Sequence, residues 1–208
     1  MNYITDKIIN SEICVSPFPH LFIENFFNDE DATHLNDFYE KNKQNLEYHY
    51  ESYWWRVETD DLTGRIKSII DTFLSMDFVN LIYKKFNVTN PIYLHNDCFE
   101  FDLKYDDESC QTQNFWHTDR EYVIRAQFCL NDKDYNDGGT AFVGKENPLK
   151  FNSMQIFPTT KQSLHRVYQR NYQRKHMMFS YCHPDFASDI EMEDRKFEDK
   201  HYLKLKYE

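Results

Sequence analysis

His117-Thr118-Asp119, followed 48 residues later by His165, restricts what this chain can fold into more than any other feature. In an extended strand successive side chains alternate faces, so His117 and Asp119 point the same way and can grip one ion. A third ligand must then come from a strand that is near in space but distant in sequence. Two packed sheets, with the residues between 119 and 165 forming the intervening strands, meet that demand. Two imidazoles and one carboxylate on one face of an octahedral ion leave three positions open for other ligands.

The His-x-Asp pattern is weak by itself. Composition alone supplies roughly one match in a chain of this length, and here there are three. His183-Pro184-Asp185 is a poor candidate, because only His201 follows it, in a charged tail. His95-Asn96-Asp97 opens a strand-like stretch and can also draw on His165, but it lacks the aromatic pair Phe115-Trp116 and the strand that directly follows His117. The expected metal ligands are therefore His117, Asp119 and His165.

An anion-binding residue can be placed by register. Residues 165–176 read as two short strands around a turn near Arg170-Asn171. That turn sets His165 opposite His176 and puts Arg174 on the face of His165, one diagonal away. A slip of one residue would exchange Arg174 for Lys175. Arg174 is the better chemistry, since a planar guanidinium grips a carboxylate in a bidentate fork.

Elsewhere the pattern predicts a strand at Leu21–Glu24, then a helix capped by Asn28, with Asp29, Glu30 and Asp31 in its first turn and an end near Lys41. Tyr48–Val57 is polar and aromatic, a candidate strand on the substrate side. Apolar residues at 3–4 spacing from Ile66 to Phe86 predict two helices broken near Ser75-Met76. Alternation predicts strands at Ile92–Tyr105, Val123–Leu130, Thr140–Val143, Gln155–Phe157, Ser163–Tyr168 and Gln173–Cys182. Turn-rich stretches separate several of them, notably Asn131–Gly139 and Gly144–Pro148. Short strands of this kind predict a mainly β double-stranded β-helix, a jelly roll, with the N-terminal helices packed outside the sheet. The whole chain, 1–208, is expected to be one domain: support elements to about residue 90, a core over about 91–183, and a charged tail over about 187–208. The tail reads as a last surface helix or a partly disordered end.

Residues 91 to 183 resemble the catalytic domain of Fe(II)/2-oxoglutarate dioxygenases, in the prolyl 4-hydroxylase-like branch. The matching segments are Phe115–Arg120, Phe128–Asn131, Asp137–Thr140, Ile156–Pro158, His165–Val167 and Arg174–Tyr181, in the family's order. The resemblance implies Fe(II) on His117, Asp119 and His165, with 2-oxoglutarate as cosubstrate and O2 as oxidant. It implies that Arg174 pairs with the distal carboxylate of 2-oxoglutarate, and that Tyr105 reaches the same carboxylate. Another position where the family often has a tyrosine is Cys129 here. Arg125 and Gln127 share the strand parity of Cys129, so both are expected to line the cosubstrate or substrate pocket. The implied reaction is hydroxylation of a C–H bond, of a prolyl residue in a peptide or protein by family analogy. A free amino acid or other metabolite is the alternative substrate, and a non-catalytic jelly-roll binding protein the alternative class.

Composition bounds the partners. The net charge of −11 and the lack of a basic stripe argue against nucleic acid. No 18-residue apolar run predicts a membrane span. Five cysteines without a CxxC pair, and no leader-like N-terminus, predict a reducing, cytoplasmic setting. Oligomeric state is not legible.

Overall fold

A computed structural model of the chain describes residues 2–49, 52–106, 116–167, 173–186 and 201–206. In chain order the elements are α1 (Asn2–Asn10), β1 (Leu21–Ile23), α2 (Asp29–Asn42), β2 (Glu47–His49), β3 (Ser52–Arg56), α3 (Gly64–Phe73), α4 (Met76–Lys85), β4 (Phe99–Asp106), β5 (Tyr122–Cys129), β6 (Tyr135–Phe142), β7 (Lys145–Leu149), β8 (Ser153–Pro158), β9 (His165–Val167) and β10 (Arg174–Cys182).

Local chemistry sets the helix ends. The Asn28 side chain accepts the Asp31 amide at 2.8 Å, which closes the N-terminus of α2 where its acidic first turn meets the helix dipole. Ser75 likewise accepts the Phe78 amide at 3.2 Å and starts α4, so the helical run breaks where the pattern placed it.

The strands form a larger antiparallel sheet, ordered β1-β8-β5-β10-β4-β3-β2, and a smaller one, β7-β6-β9. The fold is mainly β, a jelly roll with helices against the larger sheet. Each face of that sheet has its own chemistry. Met177, Phe179 and Tyr181 of β10 face the helices with Phe101, Leu103, Phe128 and Ile156. There the Phe179 ring stacks on Phe73 of α3 at 4.4 Å, and the Tyr181 hydroxyl donates to the Phe73 carbonyl at 2.9 Å. Truncating a phenylalanine in such a stack costs about 3–5 kcal/mol. The alternate residues of β10 (Arg174, His176, Met178 and Ser180) face the other way, toward the smaller sheet. They pair in register with Asp106, Lys104, Asp102 and Glu100 of β4, and three of them oppose Cys129, Gln127 and Arg125 of β5. Apolar packing on this inner side is a small cluster of Phe18, Phe142 and Phe157.

Several expectations need correction. α1 has no counterpart in the sequence reading. β4 begins at Phe99 rather than Ile92, since residues 96–98 form a 3-10 turn. The stretches read as turns at Asn131–Gly139 and Gly144–Pro148 contain most of β6 and β7. Their glycine, proline and asparagine content hides strands that pairing creates. Gly139 permits the close approach of the two: a Cβ there would lie 2.4 Å from the Asn147 carbonyl oxygen. The supposed hairpin of residues 165–176 is not one. β9 pairs with β6 in the smaller sheet and β10 with β4 and β5 in the larger, so His165 and His176 belong to different sheets. The Arg170-Asn171 turn itself lies outside the described residues, as does Phe115.

The C-terminal segment also departs from expectation. Residues 187–200 lie outside the described residues, but 201–206 pack along the body, with Leu205 in an isolated bridge to Val88. Leu203 donates to the Thr159 carbonyl at 3.1 Å, Thr89 to Lys204 at 2.8 Å and Lys206 to Asn87 at 3.0 Å. Leu203 and Leu205 are buried.

Candidate metal centre

His117 and His165 lie directly opposite one another in an antiparallel bridge. The His117 amide donates to His165 at 3.0 Å and the His165 amide donates back at 2.9 Å. That double bond pair puts both rings on one side, 4.4 Å apart between centroids. Asp119, two residues beyond His117, comes to the same spot. Its Oδ1 is 3.7 Å from His117 Nε2 and its Oδ2 is 3.4 Å from His165 Nε2. One ligand atom from each residue falls within 4.8 Å of the others, a spacing that one metal ion can span.

The surroundings prepare these atoms for a cation. His165 Nδ1 lies 3.0 Å from the Ser163 carbonyl, which can only accept, so Nδ1 carries the proton and the Nε2 lone pair is left toward Asp119. Burial pulls the His165 pKa down, but the Asp119 carboxylate outweighs it and raises the imidazole above its ordinary value. Burial also opposes ionisation of Asp119. The Arg125 guanidinium, with Nε 3.0 Å from Oδ2, and the two imidazoles outweigh it and hold this carboxyl well below the usual carboxylate range. Arg125 is itself held by the Ser180 hydroxyl and by the Tyr122 ring, 4.0 Å beneath it.

Deeper on the inner face, Arg174 is 3% exposed and its Nη1 donates to Asp106 at 3.0 Å. Lys175 points to the opposite side, where it reaches Glu40 at 2.9 Å and Asp132 at 2.8 Å. The Asn131 side chain accepts the Lys175 amide at 2.9 Å and pins this register. On the inner side of the sheet, four buried polar atoms have no hydrogen-bond partner among the described residues: Arg174 Nε, His176 Nδ1, Gln155 Nε2 and Asn147 Oδ1. Each such orphan costs about 1–3 kcal/mol. Four of them facing one interior suit a small polar guest that completes them. His176 is neutral there, because burial, Arg174, Lys104 and Arg125 all push its pKa far down.

No family profile and no curated protein matches this sequence. Solved structures do. The fold is similar to that of a prolyl 4-hydroxylase from Phytophthora capsici, with a TM-score of 0.61 and 12% identity over 90% of this chain and 67% of that one. It is similar to a Pseudomonas putida prolyl-4-hydroxylase at a TM-score of 0.58 and 12% identity, covering 87% of this chain and 97% of that one. A Trichoplax adhaerens prolyl hydroxylase, solved in complex with a peptide fragment of hypoxia-inducible factor, gives 0.54 and 13% over 89% and 90%. The chain therefore shares the fold of these prolyl hydroxylases.

On this oxygenase fold the structure brings His117, Asp119, His165 and Arg125 together, with Arg174 and Gln127 on the same inner face. Gln127 accepts from the Thr140 hydroxyl at 3.2 Å and so links the two sheets. Tyr105 is not with them. It pairs in register with Lys175, on the opposite face of β4 and β10, where its ring lies 6.0 Å from Tyr53. Strand parity puts it on the opposite side of the sheet from Arg174. The rival His95 and Asp97 are 3.5 Å apart and largely exposed, and they join no third ligand among the described residues. Cys129 is buried on the inner face, and burial pushes its thiol up to about 11. Sequence reasoning missed His176, Asp106, Gln155 and Asn147. For His176 and Asp106 the available signal was β-strand parity: His176 is two residues from Arg174, and Asp106 ends the alternating polar face of β4.

Proposed function

We propose that this protein is a non-haem Fe(II)/2-oxoglutarate-dependent dioxygenase, one domain in extent, that hydroxylates a prolyl residue of a peptide or protein. The observation that carries this reading is the convergence of His117, Asp119 and His165 beside an inner face where one buried polar atom each of Arg174, His176, Gln155 and Asn147 lacks a partner among the described residues. The donor set, two neutral nitrogens and a carboxylate, suits Fe(II) with sites left open. Bound there, Fe(II) with 2-oxoglutarate and O2 supplies the oxidising power, and 2-oxoglutarate leaves as succinate and CO2.

The chain's own groups bind and orient. Arg174 takes the distal carboxylate of 2-oxoglutarate, a charge-assisted pair that fixes the cosubstrate in one pose. Asp106 pairs with this guanidinium, so the incoming carboxylate shares it with Asp106 or displaces Asp106 from it. His176 and Gln155 offer the adjacent polar atoms. Arg125 keeps Asp119 ionised and aimed, and Ser163 keeps His165 in the ligating tautomer. Phe142 and Phe157, with Phe157 5.2 Å from the His165 ring, wall the centre against water. Trp116, 38% exposed and stacked with Arg166 at 4.4 Å, immediately precedes His117 and offers an aromatic platform suited to a pyrrolidine ring.

A second reading of the substrate rests on Glu100. Its Oε1 pairs with Arg56 at 2.9 Å, whereas its buried Oε2 has no partner among the described residues. Near Glu121, whose pKa is raised by burial and by Asp119, this favours an amine-bearing small molecule such as a free amino acid.

Anaerobic titration with Fe(II) and 2-oxoglutarate, followed by air, tests the class. The expected result is a weak visible charge-transfer band that fades as succinate forms. Bound iron without a band would defeat the cosubstrate assignment. Prolyl peptides and free amino acids added as substrates then separate the two readings by which one stimulates succinate production.

A further inference from the structure

Beyond that centre the chain assembles a second group of metal-ligating side chains, from the very His-x-Asp copy that the sequence reading set aside. His183 follows the last residue of β10, Asp185 sits in the 3-10 turn Pro184–Phe186, and His201 arrives from the C-terminal segment. His201 Nε2 is 3.2 Å from Asp185 Oδ2, and His183 Nδ1 is 3.9 Å from the same oxygen. One ligand atom from each residue lies within 4.8 Å of the other two. The imidazoles are 7% and 4% exposed and stand nearly perpendicular, with centroids 4.9 Å apart. Phe186 packs on both rings, at 5.6 and 4.8 Å, and supplies an apolar wall.

We propose that His183, Asp185 and His201 form a second metal site, for Zn(II), that clamps the C-terminal segment to the end of β10. Zinc bonds to imidazole and carboxylate of about 2.0–2.2 Å in a tetrahedron set donor atoms roughly 3.3 Å apart. The 3.2 Å between His201 and Asp185 already matches that spacing, and the 3.9 Å between His183 and Asp185 needs a modest contraction to reach it. The protonation states suit it as well. The Asp185 amide donates to His183 Nδ1 at 3.1 Å, which requires a neutral ring with a lone pair turned toward this corner, and metal binding exchanges that N–H for the ion. Two imidazoles and a carboxylate leave the fourth position to water.

The clamp has a mechanical consequence. Asp185 and His201 are 16 residues apart, so one ion held by both cross-links the chain across that loop. On one side it ties down β10, which carries Arg174 and His176. On the other it secures residues 201–206, which bond to Thr159 and Thr89. This proposal does not rest on the oxygenase reading.

The test uses the full chain with His117→Ala and Asp119→Ala, which silence the first centre. Zn(II) is titrated against a chromophoric chelator, folding is checked by circular dichroism, and thermal midpoints are recorded with and without zinc. One equivalent of zinc and a raised midpoint are expected. Adding Asp185→Asn, at a half-exposed position that folding tolerates, should weaken zinc by at least about tenfold and remove the midpoint shift, and His201→Gln should do the same. A folded double variant that takes up no zinc overturns the proposal, and so does zinc whose affinity is unchanged by both Asp185→Asn and His201→Gln. Neither outcome touches the charge-transfer test of the first centre, which is read on the unaltered chain.

Discussion

The two His-x-Asp clusters use the same residue types at the same local spacing, yet they are built differently. At His117 and Asp119 the backbone is extended and bridged to His165, so both side chains leave one face of a paired strand and the third ligand is already opposite. At His183 and Asp185 the intervening Pro184 opens a 3-10 turn, and His201 is brought in by a segment held through Thr89, Thr159 and the burial of Leu203 and Leu205. The first cluster has Arg125 on its carboxylate and opens onto an interior of unpartnered polar atoms. The second has Phe186 across both rings. The lesson is that a ligand set by itself does not assign a role. The neighbouring groups do, and the first cluster shares its side of the sheet with buried polar atoms that lack partners among the described residues.

Substitutions can sharpen this contrast. The largest effect is expected at His117→Ala, which should abolish iron at the first centre and reduce succinate formation to background, because two remaining ligands hold the metal poorly. Iron retained there with turnover would move the centre elsewhere. Arg174→Ala comes next. It should leave iron bound but raise the 2-oxoglutarate KM by about 30-fold or more, the scale of a lost buried charge pair at about 2–5 kcal/mol. Lys175→Ala should change that KM less than about twofold and stability by under about 1 kcal/mol, since its partners are solvent-facing. The opposite outcome would mean that β10 is out of register by one residue.

A third imidazole isolates what a carboxylate neighbour does. His20 is buried, with Nδ1 2.8 Å from the Phe18 carbonyl, and burial lowers its pKa from 6.5 to about 4. His165 is buried too, yet Asp119 raises it. With the folded pKa depressed, the unfolded chain takes up the proton first as pH falls. Stability present above pH 6.5 should therefore be lost as pH drops toward about 4, by up to about 3 kcal/mol. Urea unfolding of the metal-free protein at pH 7 and pH 4.5 checks this, and His20→Leu should flatten the slope. At Arg125→Gln iron affinity should fall about 10- to 100-fold by equilibrium dialysis because Asp119 loses its positioning partner. Unchanged affinity would reduce Arg125 to a packing role.

Much of the scaffold was legible. The Asn28 cap, the Ser75 break and the strands around Val123–Leu130 and Gln173–Cys182 follow from side-chain chemistry and period, which are local. The strands hidden in Asn131–Gly139 and Gly144–Pro148 were not legible, because glycine, proline and asparagine read as turns until a partner strand satisfies their backbone. Arg174 is instructive: the residue was chosen on the right strand face, but through a hairpin that does not exist. Its inward direction comes from the pairing of β10 with β4 and β5, which buries Met177, Phe179 and Tyr181 against the helices and leaves the alternate residues for the interior. Tyr105 failed by the same parity, one residue from the face it needed.

The sequence by itself determined the i, i+2 spacing of His117 and Asp119, the jelly-roll class, and the helix starts at Asn28 and Ser75. Each of these depends on residues a few positions apart, whose relative directions the backbone period dictates. Only the tertiary structure decided that His201 returns to His183 and Asp185, and which carboxylate neutralises Arg174. Those contacts join residues far apart in the chain, and burial of the intervening apolar faces sets their distances.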